Sequence, residues 1–521
     1  MSSHSSDAPD AAPNTLLPRV ALGLLVLLTL IGFLVYPTYP NYDSYYSLLW
    51  GRELLHFKTP SFETYYAPTQ HPLAVVFGAF LSLFGRGADR IMVFCTLVSF
   101  VLLAAGMYRF ARLLFTPAVG LVAAAVLCTR LDFPFLAARA YIDIPYLALI
   151  IWALVFELER QKTARSPGVV WAMLLAAGLL RPEAWLLLGC YGLWLAFRQW
   201  RATGSRSAAL RVLLRSALIA AIAPVLWCLS DYLATGDPLF SLTHTSAFAE
   251  ELGRTKGLDQ IPHAMRAFFF NLTKAPVLAA GLVGLGLAFW FVPRRALLPA
   301  ALWLIGSGTF VLVGVAGLSV IDRYLLVPAL MVMVFAAVTV AGWTLLEPSW
   351  VRRAWAVVAA LAVIYGAVFT VVRVSTNQIT AELDRRGASH RALVALLDRP
   401  QIAGSCRPYS VPSHKLVPEV RWILDLPEAD VRARTEATGV NDPQASPTAR
   451  AARARAAAIL RRDGTSLVVN DHATVIKQAL VNDGDDQFNN IAGYVDRRLV
   501  PGYVLLSGNR YYGAYARCAA R

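Results

Sequence analysis

The chain is written in long apolar runs separated by short polar connections, many of which carry arginine. Residues 20–35, 296–316 and 354–372 are long enough, or nearly so, for the roughly 20 residues a helix needs to cross a bilayer. Basic clusters between such runs mark the cytoplasmic side under the positive-inside rule. Arg352 with Arg353, Arg294 with Arg295, and the stretches 197–215 and 157–165 are the clusters that set the topology. With these inside, residues 142–145, 180–183, 231–274 and 319–323 fall outside, as does the tail from about 373 to 521. A cytoplasmic N-terminus makes residues 36–71 a long first external loop. Three apolar segments follow it, 72–84, 91–108 and 118–128, yet only an even number of crossings satisfies both ends. Segment 72–84 is short for a span and is expected to be a half-buried or tilted helix, which leaves about eleven crossings in all.

The tail is a different material. HKLVPEVRWILDL and TARAARARAAAILRR read as helices, SLVVND as a strand, and YVLLSGNRYYGAYARC as a hairpin around Ser507-Gly508-Asn509. The expected architecture is a polytopic α-helical membrane protein with a C-terminal extracytoplasmic α/β domain. Residues 1–15 form a disordered cytoplasmic N-terminus, 16–374 the transmembrane domain and 375–521 the external domain. The first apolar run is too long for a typical signal-peptide core and is expected to stay as a retained helix. No internal repeat is evident, which speaks against the duplicated build of many transporters.

Composition agrees with the bilayer as solvent: 57% of the chain is hydrophobic, only 16% is charged and the mean hydropathy is +0.52. A formal charge of +15 would suggest nucleic acid in a soluble protein. Here the arginines sit between apolar segments, so topology and anionic lipid account for them, and no nucleic-acid partner is expected. Cys95, Cys128, Cys190 and Cys228 lie in apolar segments as packing residues, and no zinc-ligand spacing occurs. Cys406 and Cys518 lie in the tail, one before a strand-like stretch and the other at the end of the last. They are either a disulfide in an oxidising compartment or two free thiols.

Candidate chemistry gathers in the external segments. NYDSYYSLLWGRELL places Asp43 just past the first span, followed by a helix-like spacing of Tyr46, Leu49, Glu53 and His56. That helix suits the membrane surface, with Tyr45 and Tyr46 at headgroup depth. Asp43 could take a proton from an acceptor or hold a divalent metal; equally, it could be only the helix N-cap. Asp143 precedes Pro145 at the start of a later helix, with Arg139 four residues earlier. The two could form a snorkelling ion pair, or a base beside a phosphate-binding arginine. In LLRPEAW, Arg181 and Glu183 are enclosed by apolar sequence, which marks either an intramembrane site or a pair across a tight turn. DRYLLVP puts Asp322, Arg323 and Tyr324 at the external end of a late helix, and arginine's planar fork suits a phosphate. Asp237 occupies a Gly-Asp-Pro turn, and His244 and His71 could bind a sugar or a metal or be unremarkable loop histidines.

Together NYDSYYSLLWGREL, APTQHPL, YIDIP, RPEAW, TGDPLFSL and DRYLLVP resemble the GT-C class of integral membrane glycosyltransferases. The likeness is to its bacterial branch related to protein mannosyltransferases and the aminoarabinose transferase of lipid A. That branch often has two prolines where APTQHPL has one. The resemblance implies a polyprenyl-phosphate sugar as donor and inversion at the anomeric carbon by a hexosyl- or pentosyltransferase. Asp43 would be the catalytic base and Asp143 a residue positioning acceptor or metal. Arg181, Arg323 and Arg139 would hold the donor phosphate; Tyr45, Tyr46, His71, Glu183, Asp237, His244 and Tyr324 would line the substrate site. Members of the class differ in whether they need a divalent metal, and no metal ligand set is assigned. The acceptor is an extracytoplasmic glycan, lipid or protein, and the location is a plasma membrane. Competing readings are a glycan polymerase or ligase using a polyprenyl diphosphate, a lipid or sugar transporter, and a catalytically inactive glycan-binding scaffold.

Overall fold

The computed structural model describes residues 16–36, 38–64, 66–163, 166–243, 260–316, 320–373, 376–437, 447–460, 463–471 and 502–518. Helix α1, Leu16–Val35, buries none of its residues. Most of its apolar residues are exposed, which is tenable in lipid, and among the described residues seven helices are long and apolar enough to cross a membrane. The number becomes eight if the bent pair α5, Pro117–Thr129, and α6, Asp132–Ala138, counts as one span.

Two short helices follow α1: α2, Tyr42–Leu55, and α3, Pro72–Ser82. Their backbones touch where two glycines face each other. A Cβ on Gly51 would stand 2.2 Å from the Ala79 nitrogen, and one on Gly78 2.2 Å from the Ser47 carbonyl. The next helix, α4 (Ala88–Leu114), starts where α1 ends, because Arg90 donates to the carbonyls of Phe33 and Thr38 at 2.8 and 2.7 Å. Helices α2 and α3 therefore begin and finish on one side, and α3, at 11 residues, is the shortest of the helices formed by the three apolar segments after the first loop.

Helices α7 (Asp143–Thr163), α8 (Gly168–Leu180), α9 (Ala184–Thr203) and α10 (Arg206–Thr235) continue the bundle. After them come α11 (Ile261–Phe291), α12 (Pro293–Val315), α13 (Leu326–Ala341) and α14 (Trp350–Arg373). Helix α13 is apolar on every face and buried along nearly all its length, as such a helix must be. It crosses α11 closely, since a Cβ on Gly284 would fall 1.8 Å from the Phe335 carbonyl oxygen.

The tail forms a mixed five-stranded sheet in the order β2-β1-β3-β5-β4. Strands β1 (Tyr409–Val411), β2 (Val431–Ala433) and β3 (Gly464–Val469) are parallel. β4 (Val504–Gly508) and β5 (Tyr512–Arg517) make the expected hairpin, with β5 antiparallel to β3. Helices α15 (Thr376–Leu397), α16 (Pro400–Ala403), α17 (Val417–Leu424) and α18 (Pro447–Leu460) accompany the sheet. Cys406 and Cys518 are joined by a disulfide that ties the lead into β1 to the end of β5. Mass-spectrometric thiol labelling of unreduced protein is expected to miss both cysteines and to reach both after reduction; labelling without reductant would refute the bridge.

The tail sits on the first loop. Arg421, 1% exposed, pairs with Glu53 at 2.7 Å, and Glu53 also accepts from the Ser61 amide and hydroxyl at 2.8 and 3.0 Å. Arg52 reaches Asp425 at 2.6 Å and lies over the Trp422 ring. Removing one partner of a buried pair strands the other charge, whereas exposed pairs contribute little. Arg421→Ala should thus cost about 3 kcal/mol, read as a lowered unfolding midpoint of the tail. Arg86→Ala, in a pair whose side chains are 62% and 46% exposed, should leave that midpoint nearly unchanged.

Candidate active site

Five charged side chains alternate in sign along a line at the end of the bundle nearest the tail. Arg323 Nη1 stands 3.4 Å from both Asp43 Oδ2 and Asp143 Oδ2. The other oxygen of Asp143 accepts from Arg181 Nη1, and Arg181 also donates to Glu183 Oε1 through Nη2 at 2.6 Å and Nε at 3.1 Å. The sequence separations, up to 280 residues, mean that α2, α7, the α8–α9 turn and the turn before α13 all converge here.

Each residue is placed by local chemistry. Asn41 caps α2 by accepting from the Ser44 amide, and Asn41 and Ser44 both donate to the 139–140 backbone. This corrects the N-cap expectation for Asp43: the cap is Asn41, and Asp43 projects from the first turn with 21% of its side chain exposed. Asp143 opens α7, just ahead of Pro145 in the first turn, and is completely buried. A buried carboxylate needs charged partners, and it finds two in Arg181 and Arg323.

Three expectations change. Arg139 does not pair with Asp143: its guanidinium lies 3.8 Å from the Tyr39 ring centroid, with Nη1 buried and unpartnered. Arg181 has its fork engaged by two carboxylates, so it is poorly placed to take a phosphate and instead fixes Asp143. Tyr45 and Tyr46 are 1% and 0% exposed, packed in the core rather than facing headgroups or the charged line. Tyr45 points its hydroxyl toward Asp89 at 3.4 Å, and Tyr46 packs on Trp50. The same aromatic pattern serves a membrane belt or a core, and here tail and α3 cover it.

Among the other candidates, Glu183 joins the line and Tyr324 lies beside it, its ring 5.6 Å from the Arg181 guanidinium. His71 is buried nearby, donating to the Leu180 carbonyl, with Nδ1 unpartnered. Burial and the charges of Arg181 and Arg323 push it down to about 3, so it is neutral at physiological pH. Asp237 holds its own turn by accepting from the Leu239 amide at 2.9 Å. His244 lies outside the described residues. Sequence reasoning missed Tyr141, whose ring lies 5.7 Å from the Arg323 guanidinium, although it sits two residues before Asp143. It also missed Gln70, which donates to buried Asp231 at 2.9 Å and so anchors the backbone next to His71.

Three carboxylates face two guanidiniums along this line, so one negative charge is uncompensated. The most exposed carboxylate, Asp43, makes only the 3.4 Å contact among the described residues. Arg323 is 30% exposed and touches its acids only at that distance, so its remaining donors are open to an anion. The site thus offers an acceptor of protons beside a donor to anions. No group of three or more His, Cys, Asp or Glu side chains is placed to hold a metal among the described residues.

The fold matches solved structures over nearly the whole chain. ArnT from Cupriavidus metallidurans bound to undecaprenyl phosphate is 14% identical, with 96% of this chain and 99% of that chain covered and a TM-score of 0.57. The oligosaccharyltransferase of Archaeoglobus fulgidus in its apo form is 12% identical over 97% of this chain and 75% of that one, at a TM-score of 0.53. The archaeal oligosaccharyltransferase AglB from Archaeoglobus fulgidus in complex with an inhibitory peptide and a dolichol-phosphate gives 12%, 97%, 74% and 0.51. No family model and no curated protein matches the sequence. The fold is that of the GT-C membrane glycosyltransferases, as the sequence motifs imply.

Proposed function

We propose that this protein transfers a single sugar from a polyprenyl-phosphate donor to an extracytoplasmic acceptor, inverting the anomeric carbon. The observation that carries this reading is the pairing of reachable Asp43 with half-open Arg323, backed by buried Asp143. Two proteins of the same fold have been solved with undecaprenyl phosphate or dolichol-phosphate present. Arg323 would bind the donor phosphate and Asp43 would take the proton from the acceptor hydroxyl or amine as it attacks the anomeric carbon. The bond from that carbon to the phosphate oxygen breaks, and its electron pair leaves on the lipid phosphate. Asp143 holds both guanidiniums in place. Arginine clusters at 197–215, 294–295 and 352–353 support a cytoplasmic face opposite the site, with the tail outside.

The test is a transfer assay on the full chain in lipid, with radiolabelled polyprenyl-phosphate mannose, glucose and arabinose. Sugar transfer or release from one of them, with free polyprenyl phosphate as co-product, is the expected result. Transbilayer movement of the intact donor without sugar release would overturn the reading in favour of transport.

A further inference from the structure

The side chain of Asp43 makes one long contact among the described residues, so its place is inherited from the backbone that carries it. Two side chains of the stretch just before it, Tyr39 and Tyr42, are gripped by histidines of the tail. Tyr39 carries the His390 ring flat upon it, with centroids 4.1 Å apart and planes 6° apart. The Arg139 guanidinium stands 3.8 Å from the same centroid, so the two occupy opposite faces and Tyr39 is a layer between membrane domain and tail. His390 lies on α15 and is fixed in turn by Glu419 of α17, its Nδ1 2.6 Å from Oε1. Tyr42, next to Asp43, donates its hydroxyl to the Tyr66 carbonyl. His414, buried in the 3-10 turn between β1 and α17, stands edge-on to both rings, 5.6 Å from that of Tyr42 and 4.8 Å from that of Tyr66. Between the two grips the Asn41 amide is tied to the Arg139 carbonyl at 2.8 Å. Tyr39 and Tyr42 thus turn to the tail and Asn41 to the start of α7, which leaves Asp43 facing Arg323. The far end of α2 is held by the same domain through Glu53 and Arg421.

We propose that His390 and His414 are positioning residues of the transfer reaction, through which the tail sets where the Asp43 carboxylate stands. The proposal rests on the reading of Asp43 as base. A general base works only within hydrogen-bond reach of its proton, and a displacement of about 1 Å can cost on the order of 100-fold in rate. Neither histidine touches the charged line, so their effect passes through the backbone of residues 39–43.

The test uses the full chain in nanodiscs, with whichever of radiolabelled polyprenyl-phosphate mannose, glucose or arabinose it turns over. Single-turnover sugar release at saturating donor gives the rate, and a donor titration gives the affinity. His390→Ala and His414→Ala should each lower the rate by about 10- to 100-fold and leave donor affinity unchanged. His414→Phe keeps a ring against Tyr42 and Tyr66, and His390→Phe keeps one on Tyr39; both should recover most of the rate. The deciding readout is a cycle with Asp43→Asn. A residue that acts through Asp43 has nothing left to position in that background, so adding either alanine should change the residual rate by less than about twofold. A general loosening of the fold would lower it again by the full factor. Alanine variants with wild-type rates, or the full factor repeated on Asp43→Asn, would overturn the proposal. Should His414→Ala fail to fold, His390→Ala carries the same cycle, since that side chain is 13% exposed. A fully active Asp43→Asn would instead overturn the base reading, an outcome distinct from a slow Asp43→Asn beside fast histidine variants.

Discussion

Asp43→Asn is expected to lower sugar transfer by about 10³-fold while leaving expression, insertion and donor binding close to wild type. The amide is the same size as the carboxylate and keeps an oxygen that can accept from Arg323, so the line of side chains should hold its geometry. It cannot take up a proton. A general base contributes roughly 10² to 10⁴ in rate, and the loss should therefore fall on kcat rather than on donor affinity. Asp43→Glu moves the same chemistry about 1 Å outward and should recover part of the rate. Single-turnover release of sugar with saturating donor separates the outcomes. A fully active Asn variant would remove Asp43 as base and leave Asp143, which is buried and held by two guanidiniums, as a poor substitute.

Much of this was legible in the sequence, and the exceptions share a cause. Apolar runs are local, so the apolar helices, the short helix α3 and the β4–β5 hairpin follow from pattern and turn chemistry, although seven or eight helices among the described residues, rather than about eleven, are long and apolar enough to span. The motifs around Asp43, Asp143, Arg181 and Arg323 are also local, and each carries an uncommon cost in apolar surroundings that marks it. Partner choice is not local. A pair between Arg139 and Asp143, four residues apart, is one of the two readings that the sequence offers for them. Yet the tight turn that starts α7 sends Arg139 to the Tyr39 ring, and Asp143 finds Arg181 and Arg323, 38 and 180 residues away. The tail's grip on the first loop was hidden for the same reason, because Arg421 and Glu53 are 368 residues apart. That grip also explains why Tyr45 and Tyr46 are core residues: a loop that would otherwise rest on lipid headgroups is roofed by protein.

The two arginines flanking Asp143 should fail in different ways, and the difference tests the assignment of roles. Arg323→Ala removes a guanidinium that is 30% exposed and touches its carboxylates only at 3.4 Å. Little native packing is lost, since Asp143 keeps Arg181. The expected result is a donor affinity weakened by roughly 100-fold with an unfolding midpoint near wild type, and a partial return of affinity in Arg323→Lys. Arg181→Ala removes a guanidinium 7% exposed that holds both Asp143 and Glu183, which are 0% and 9% exposed. Two buried carboxylates would then lose their hydrogen-bonded cation, a change that costs about 3–5 kcal/mol. That variant should show a large fall in unfolding midpoint before any reading of affinity is possible. Undecaprenyl phosphate binding and thermal unfolding, measured on both variants in the same lipid, give the answer. If Arg181→Ala proved stable and lost only donor affinity, Arg181 would regain the phosphate role that its engaged fork argues against, and Arg323 would become the positioning residue.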